Sequence, residues 1–197
     1  MQPVPSNRGF ADHVYKTEAI VLRQSPTGEA DRLLTVLTPY MGKLRLLGRS
    51  VRRPKSKVSG HVEPLMHARL MINKGKSGLD AISQAETIEA FPALRSNLEQ
   101  TVWGIYCAEL VDAFLPDEAP SADVFGLLAN TLARLNASEG DIALRWFELH
   151  LLDMTGYRPE LQVCAQCRKA LSPERFAFSP DAGGVLCQAC EQANRIA

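Results

Sequence analysis

The sequence predicts an α+β protein: a small all-β domain first, a helical domain second, and a four-cysteine ribbon near the C-terminus. Three observations carry this. Five short runs of β-forming residues fill residues 15–88, with no helical pattern between them. Apolar residues then recur at helical spacing from Leu94 to Met154. Two Cys-x-x-Cys knuckles follow, Cys164 with Cys167 and Cys187 with Cys190.

Tyr15 to Leu22 is rich in β-formers and loosely alternating, which predicts a first strand, turned by Ser25-Pro26-Thr27-Gly28. Arg32 to Thr38 has an apolar middle and predicts the second, and Tyr40-Met41-Gly42 turns again. Lys43 to Val51 is the third strand, and Pro54 to Gly60 a loop. Val62 to Ile72 reads as the fourth, with Pro64 at its start or on an edge because proline cannot donate to a ladder. Lys74-Gly75-Lys76-Ser77-Gly78 turns into the fifth, Leu79 to Ile88. Short strands without crossover helices point to a barrel or a sandwich, and the pattern leaves that choice open.

The chemistry of this half is its basic run. Lys43, Arg45, Arg49, Arg52, Arg53, Lys55 and Lys57 contain no acid among them, and Arg69, Lys74 and Lys76 follow. Lys43, Arg45, Arg49 and Arg53 share a parity, so a regular strand aims them at one face. Such a stripe suits a phosphate backbone, whose condensed counterions are released when Lys and Arg replace them. A solvated charged face is the alternative. Arg49 to Lys57, with Pro54 and Ser56, reads as a mobile loop that a flexible single strand could order. Phe10, Tyr15 and Tyr40 are the aromatics here, which gives little support to a multi-base stacking platform. Contacts should go mainly to phosphates, with little sequence readout.

Phe91-Pro92 opens the helical half, with proline in the first turn where its missing N–H costs nothing. Leu94, Leu98, Val102, Ile105, Cys107, Leu110 and Phe114 keep helical spacing as one helix. Pro116 and Pro120 break it, and Ser121 is placed to cap a second helix through Leu135. Ser138-Glu139-Gly140-Asp141 matches a capping box for a third, Ile142 to Thr155, which Gly156 and Pro159 stop. Trp103, Tyr106, Trp146 and His150 read as core or boundary residues, and Cys107 as a buried thiol.

The ribbon follows from spacing. Residues 168–186 separate the knuckles, inside the window of a four-thiolate zinc site. Each knuckle puts two sulfurs on one tight turn, so Cys164, Cys167, Cys187 and Cys190 supply the corners of a tetrahedron. Four thiolates leave no open position, which makes such a Zn²⁺ structural. Phe176-Ala177-Phe178, a turn at Asp181 to Gly184, and Val185-Leu186 form a hairpin too small for its own core, so metal binding would supply most of its folding energy. Two disulfides or four core thiols would use the same cysteines, but nothing else in the sequence suggests an oxidising compartment.

Composition is that of an ordinary globular protein, 46% hydrophobic and 22% charged. No apolar run approaches a membrane span, and the N-terminal stretch Met1 to Ala11 lacks a signal peptide's apolar core, so a cytoplasmic protein without a membrane partner is expected. A net charge of zero conceals a division: residues 1–85 carry 14 Lys+Arg against 6 Asp+Glu, and residues 86–197 carry 8 against 16. A basic half suits polyanions, and an acidic half is freed for protein partners. No phosphate loop, nucleophile elbow, metalloprotease motif or paired-carboxylate signature is found, and a non-enzymatic role is expected.

Gly28-Glu29-Ala30-Asp31-Arg32-Leu33-Leu34-Thr35-Val36-Leu37-Thr38, then Gly42-Lys43, resembles the opening signature of the bacterial RecO family of DNA repair proteins. Gly156-Tyr157-Arg158-Pro159-Glu160-Leu161 resembles that family's entry to its zinc site, and the likeness covers Tyr15 to Cys190. The resemblance implies an N-terminal five-stranded OB-fold β-barrel (14–90), an α-helical domain (91–160) and a zinc-binding module (161–193) behind a flexible lead (1–13). It also implies binding of single- and double-stranded DNA, annealing of complementary strands, and work with RecR and single-strand DNA-binding protein in loading RecA. Family members continue past the second knuckle with more helix. If those helices complete the helical core, exposed apolar surface is expected here.

Two readings of function stand. One is a DNA-binding and annealing recombination mediator, associated with the nucleoid. The other is a zinc-ribbon adaptor acting in protein–protein assembly or RNA binding. Arg134 and Arg145, on helices beside apolar positions, are the candidate contacts for the acidic, apolar-tipped C-terminal tail of single-strand DNA-binding protein. Two solvated arginines are the alternative.

Overall fold

The computed structural model describes residues 13–75, 78–172 and 176–194. The predicted DNA contact Lys76 lies outside the described residues, as do lead residues 1–12. Five strands come first: β1 (Val14–Thr27), β2 (Asp31–Thr38), β3 (Gly42–Gly48), β4 (His67–Asn73) and β5 (Asp80–Glu89). They close into a barrel in the order β1-β2-β3-β5-β4. All pairings are antiparallel except the seam of β3 with β5, which is parallel and two residue pairs long, Leu46 with Asp80 and Leu47 with Ala81. This is the five-stranded OB-type barrel, which decides between the two architectures the strand pattern allowed.

β1 closes the ring because it is long enough to serve two partners. Val14 to Ile20 pair with β4, and Ile20 to Thr27 pair with β2, with a register shift between Val21 and Arg23. Such a shift bends a strand and raises its twist, which lets one strand turn between neighbours. The expected turn at Ser25 to Gly28 is therefore mostly strand: Ser25 faces Leu33 and Pro26 faces Arg32. β3 stops at Gly48 rather than Val51, and β4 begins at His67, leaving Pro64 in the turn before it.

Alternation gives the barrel two apolar surfaces. Ala19, Val21, Leu34, Val36, Leu46 and Leu70 fill the interior, with Val51 and Val62 from the β3–β4 connection. Ile20 and its cross-strand partner Leu37 point the other way, yet both are fully buried. Helices cover them.

α1 (Pro92–Ser96), α2 (Leu98–Phe114) and α3 (Ala122–Asn136) pack on one another, α2 reaching β1 and α3 reaching β2. The single expected helix from Phe91 to Phe114 is split at Asn97, whose extended backbone ends α1 and whose Oδ1 accepts from Gln100 N at 3.2 Å to cap α2. Asn136, at the end of α3, accepts from the Ala93 and Leu94 N–H groups and caps α1 from outside. Gly104 sits mid-helix because a Cβ there would come within 2.8 Å of Leu65 Cδ1 in the barrel's β3–β4 connection. Ser121 occupies the N-cap of α3 without a side-chain capping bond. Ser138 does not form the predicted capping box: its Oγ accepts from Gln100 Nε2 at 3.1 Å, and Glu139 pairs with Arg134.

The chain falls into two compact units, residues 1–148 and 149–197, the boundary lying within α4 (Gly140–Met154). The second unit holds the hairpin β6 (Phe176–Ser179) and β7 (Gly184–Cys187) and the short helix α5 (Gln188–Asn194). The hairpin matches the ribbon read from the sequence, with Phe176 opposite Cys187 and Ser179 opposite Gly184.

Candidate nucleic-acid interface and metal centre

The basic run separates into three groups. Lys43 leads β3 and is 7% exposed. Its Nζ donates to Asp112 O at 2.6 Å and Asp112 Oδ1 at 2.9 Å, and lies 3.3 Å from Asp117 Oδ1. Its charge is spent on α2 and the loop after it, so it stands apart from the exposed cations. Gly42 makes this joint possible: at φ +68, a Cβ would meet Ala119 O at 2.4 Å. Arg45 shares the parity of Lys43, is exposed, and lies 3.6 Å from Asp117. Burial pushes the Asp112 carboxyl up, but hydrogen bonds and charge from Lys43 and Arg23 outweigh it and hold the carboxyl below the usual carboxylate range.

The second group is the β3–β4 connection. β3 ends before Arg49, so the shared parity does not extend to Arg49 and Arg53; a loop brings them together instead. Val51 and Val62 anchor it in the barrel end at 2% and 0% exposure, and Arg49, Arg52, Arg53, Lys55 and Lys57 remain exposed around them. Ser50 N donates to Asp31 Oδ1 at 2.7 Å and Arg52 N donates to Ala30 O at 3.0 Å, fixing the loop's start against the β1–β2 turn. The third group is Arg69 on β4 and Lys74 just beyond it, both exposed. Arg69 lies 3.6 Å from both Glu18 and Glu86.

Arg134 and Arg145 are both already paired with acids. Arg134 Nε donates to Glu139 Oε2 at 2.6 Å, and its guanidinium sits 5.1 Å from the Trp146 ring centroid. Arg145 donates to Asp141 at 3.3 Å and Glu148 at 2.7 Å. Asp112 and Asp117 carry no sequence signal of this role, because nothing local marks an acid as the partner of a lysine some seventy residues away.

The four knuckle cysteines do converge. Their sulfurs all lie within 4.8 Å of one another. Cys167 and Cys187 Sγ are 3.7 Å apart, close to the edge of about 3.8 Å expected of a tetrahedron with metal–sulfur bonds of about 2.3 Å. The first knuckle folds back on itself, Arg168 N donating to Cys164 O, while Ala165 N donates to Val185 O and ties it to the hairpin. Backbone N–H groups of Cys167 and Cys187 pull the Cys164 thiol down to about 6. Desolvation, then hydrogen bonds to its neighbour sulfurs, push Cys190 up to about 12. The set could hold a metal ion. Cys107 is a different kind of thiol, fully buried and pushed up to about 12 by burial. No helix among the described residues is long and apolar enough to cross a membrane.

A family model described as Recombination protein O N terminal matches residues 13–91, and one described as Recombination protein O C terminal matches residues 95–196. A protein from Roseiflexus sp. (strain RS-1) described as DNA repair protein RecO is 43% identical over 187 residues, covering 94% of this chain and 65% of its own. Proteins with the same description from Dehalococcoides mccartyi (strain ATCC BAA-2266 / KCTC 15142 / 195) and Desulforudis audaxviator (strain MP104C) are 39% and 41% identical, over 90% and 89% of this chain and 70% of theirs. The chain thus spans 65% to 70% of the length of these relatives.

Proposed function

Because the chain belongs to the recombination protein O (RecO) family, we propose that it acts in DNA repair as a DNA-binding recombination mediator. The observation that carries the DNA reading is the loop from Arg49 to Lys57, where five exposed cations flank the buried Val51 and no acid interrupts them. It supports contacts to phosphate rather than to base edges, hence binding of both single and double strands. Arg45, Arg69 and Lys74 are further exposed cations of the barrel domain.

Annealing follows from the same chemistry. Two polyanions repel, and a fixed cluster of cations lowers that repulsion and raises the local concentration of both strands. No nucleophile or general base is required. RecR, the tail of single-strand DNA-binding protein, and RecA loading belong to this proposal as the family's mode of action. The cysteine cluster is proposed to hold one structural Zn²⁺, the sulfur spacing being its support. A cytoplasmic, nucleoid-associated setting goes with that role.

The test is annealing of complementary strands by the purified chain across a salt series. Acceleration at low salt, lost as salt rises, supports the reading. Absence of annealing and of DNA binding at low salt overturns it.

A further inference from the structure

A cleft of about 490 Å³ opens on the outer face of the barrel, lined by Lys16 and Glu18 of β1, Arg69 of β4, Pro39 and Tyr40 of the β2–β3 turn, and Phe125 of α3. Alternation makes it: Ala19 and Val21 point inward, so Lys16 and Glu18 point out, and Arg69 stands directly across from Glu18. Phe125 packs edge-on against His67 with ring centroids 5.5 Å apart. The cleft is remote from the cationic loop. Tyr40 precedes β3 and Arg49 follows it, and the seven residues of β3 span about 20 Å.

The lining combines an exposed ring with cations. Tyr40 is 77% exposed. Lys16 makes no ion pair among the described residues, and Arg69 is held only at 3.6 Å by its two glutamates, leaving its side chain 51% exposed. Glu18 and Glu86 both flank Arg69, so Lys16 is the lining cation left to meet a single phosphodiester. Glu18 and Glu86 beside Arg69 disfavour a segment carrying several carboxylates. The volume lies in the range of small-ligand sites, about 300–1,000 Å³.

We propose that this cleft takes one unstacked nucleotide of a single strand, its base against Tyr40 and its phosphate between Lys16 and Arg69. The proposal rests on the DNA-binding reading above and adds to it a place where single and double strands are told apart. A duplex keeps its bases stacked and meets only cations; a single strand can offer a base to the ring. One ring makes one subsite, tolerant of sequence because every base has a π-face.

The experiment compares a short oligothymidylate with a blunt duplex at fixed salt, using the full chain and its Tyr40→Ala, Tyr40→Trp and Lys16→Gln variants. Tyr40→Ala weakens oligothymidylate binding by about tenfold and leaves duplex binding and the salt slope unchanged. Tyr40→Trp keeps the affinity, and its indole emission changes on adding the oligonucleotide. Lys16→Gln lowers the single-strand salt slope by about 0.7. An unchanged Tyr40→Ala, an equal loss on both DNAs, or a Tyr40→Trp emission that answers an acidic peptide and not the oligonucleotide overturns the cleft. If Tyr40→Ala is silent while replacing Arg49, Arg52 and Arg53 abolishes binding, the cleft falls and the DNA reading stands. If the unaltered chain binds neither DNA, both fall.

Discussion

Lys43 Nζ donates twice to Asp112, to its backbone carbonyl at 2.6 Å and its carboxylate at 2.9 Å, and so fastens β3 of the barrel to the last turn of α2. The lysine side chain is 8% exposed and the aspartate 22%, and Arg23 reaches the same carboxylate at 2.7 Å. A cation this desolvated needs its partners, since an unpaired buried charge costs several kcal/mol. The barrel and the first three helices accordingly form one compact unit.

Asp112→Asn should destabilise residues 1–148 by about 2 kcal/mol, less than the loss for a fully buried pair because the carboxylate is partly solvated and Lys43 keeps Asp112 O and Asp117. The folded-state pKa of Asp112 is depressed, so its contribution is complete above the ordinary carboxylate value of about 3.9 and is lost as pH falls below it. Urea midpoints of the two proteins should therefore differ most near neutrality and converge below about pH 4. A gap that persists in acid would place the effect in the amide's packing instead.

Local signals were legible and distant ones were not. The β6–β7 hairpin and the cysteine knuckles were readable because spacing and turn residues act within a few positions, and the sulfurs do gather. Each of the five barrel strands was readable as a run of β-formers; the parallel β3–β5 seam was not, because pairing across Leu46 and Asp80 leaves no mark at either residue. Lys43 looked like its neighbours in the basic run, and only Asp112 in three dimensions separates it from them. Asn97 was hidden for the opposite reason: apolar spacing continues across it, and a periodic pattern does not show where one helix stops and another starts in register. Ser138 matched a cap by sequence, but its φ of +65 and its bond with Gln100 serve the helix junction.

The loop predicts a salt dependence. If four to six phosphates of a single strand are neutralised, log K against log salt should fall with a slope of about −3 to −4. Replacing Arg49, Arg52 and Arg53 together by Ala should flatten that slope by about 2. All three are exposed, so the variant should keep its thermal midpoint. An unchanged slope in the folded variant would move the DNA site off the loop.

Metal analysis of reduced, unchelated protein should find about one Zn²⁺ per chain, with Zn–S distances near 2.3 Å by X-ray absorption. In the hairpin, Val185 and Leu186 are buried while Phe176 and Phe178 are more than half exposed, so little apolar core supports it. Cys187→Ser should then abolish metal binding and the hydrogen-exchange protection of β6 and β7 while barrel amides stay protected. Simultaneous loss in the barrel would show that the two units fold as one.

The acidic half makes the last prediction, for the tail of single-strand DNA-binding protein. Ile142, Arg145 and Trp146 lie within about a turn of one another on α4, Ile142 is 72% exposed, and Arg134 sits over the Trp146 ring. An acidic tail with an aromatic tip would exchange its carboxylates for Glu139 on Arg134 and Glu148 on Arg145, and set its tip against Ile142 and Trp146. The arginines are already paired, so the exchange gains little charge energy, and the tip should carry most of the affinity. Arg134→Ala, which also removes the contact over Trp146, should weaken tail-peptide binding by about tenfold, and the more exposed Arg145→Ala by less. A peptide ending in alanine should bind more weakly than either variant binds the natural tail. Tail binding that ignores both arginines but is lost with Arg49, Arg52 and Arg53 would put the tail on the cationic loop, in competition with DNA.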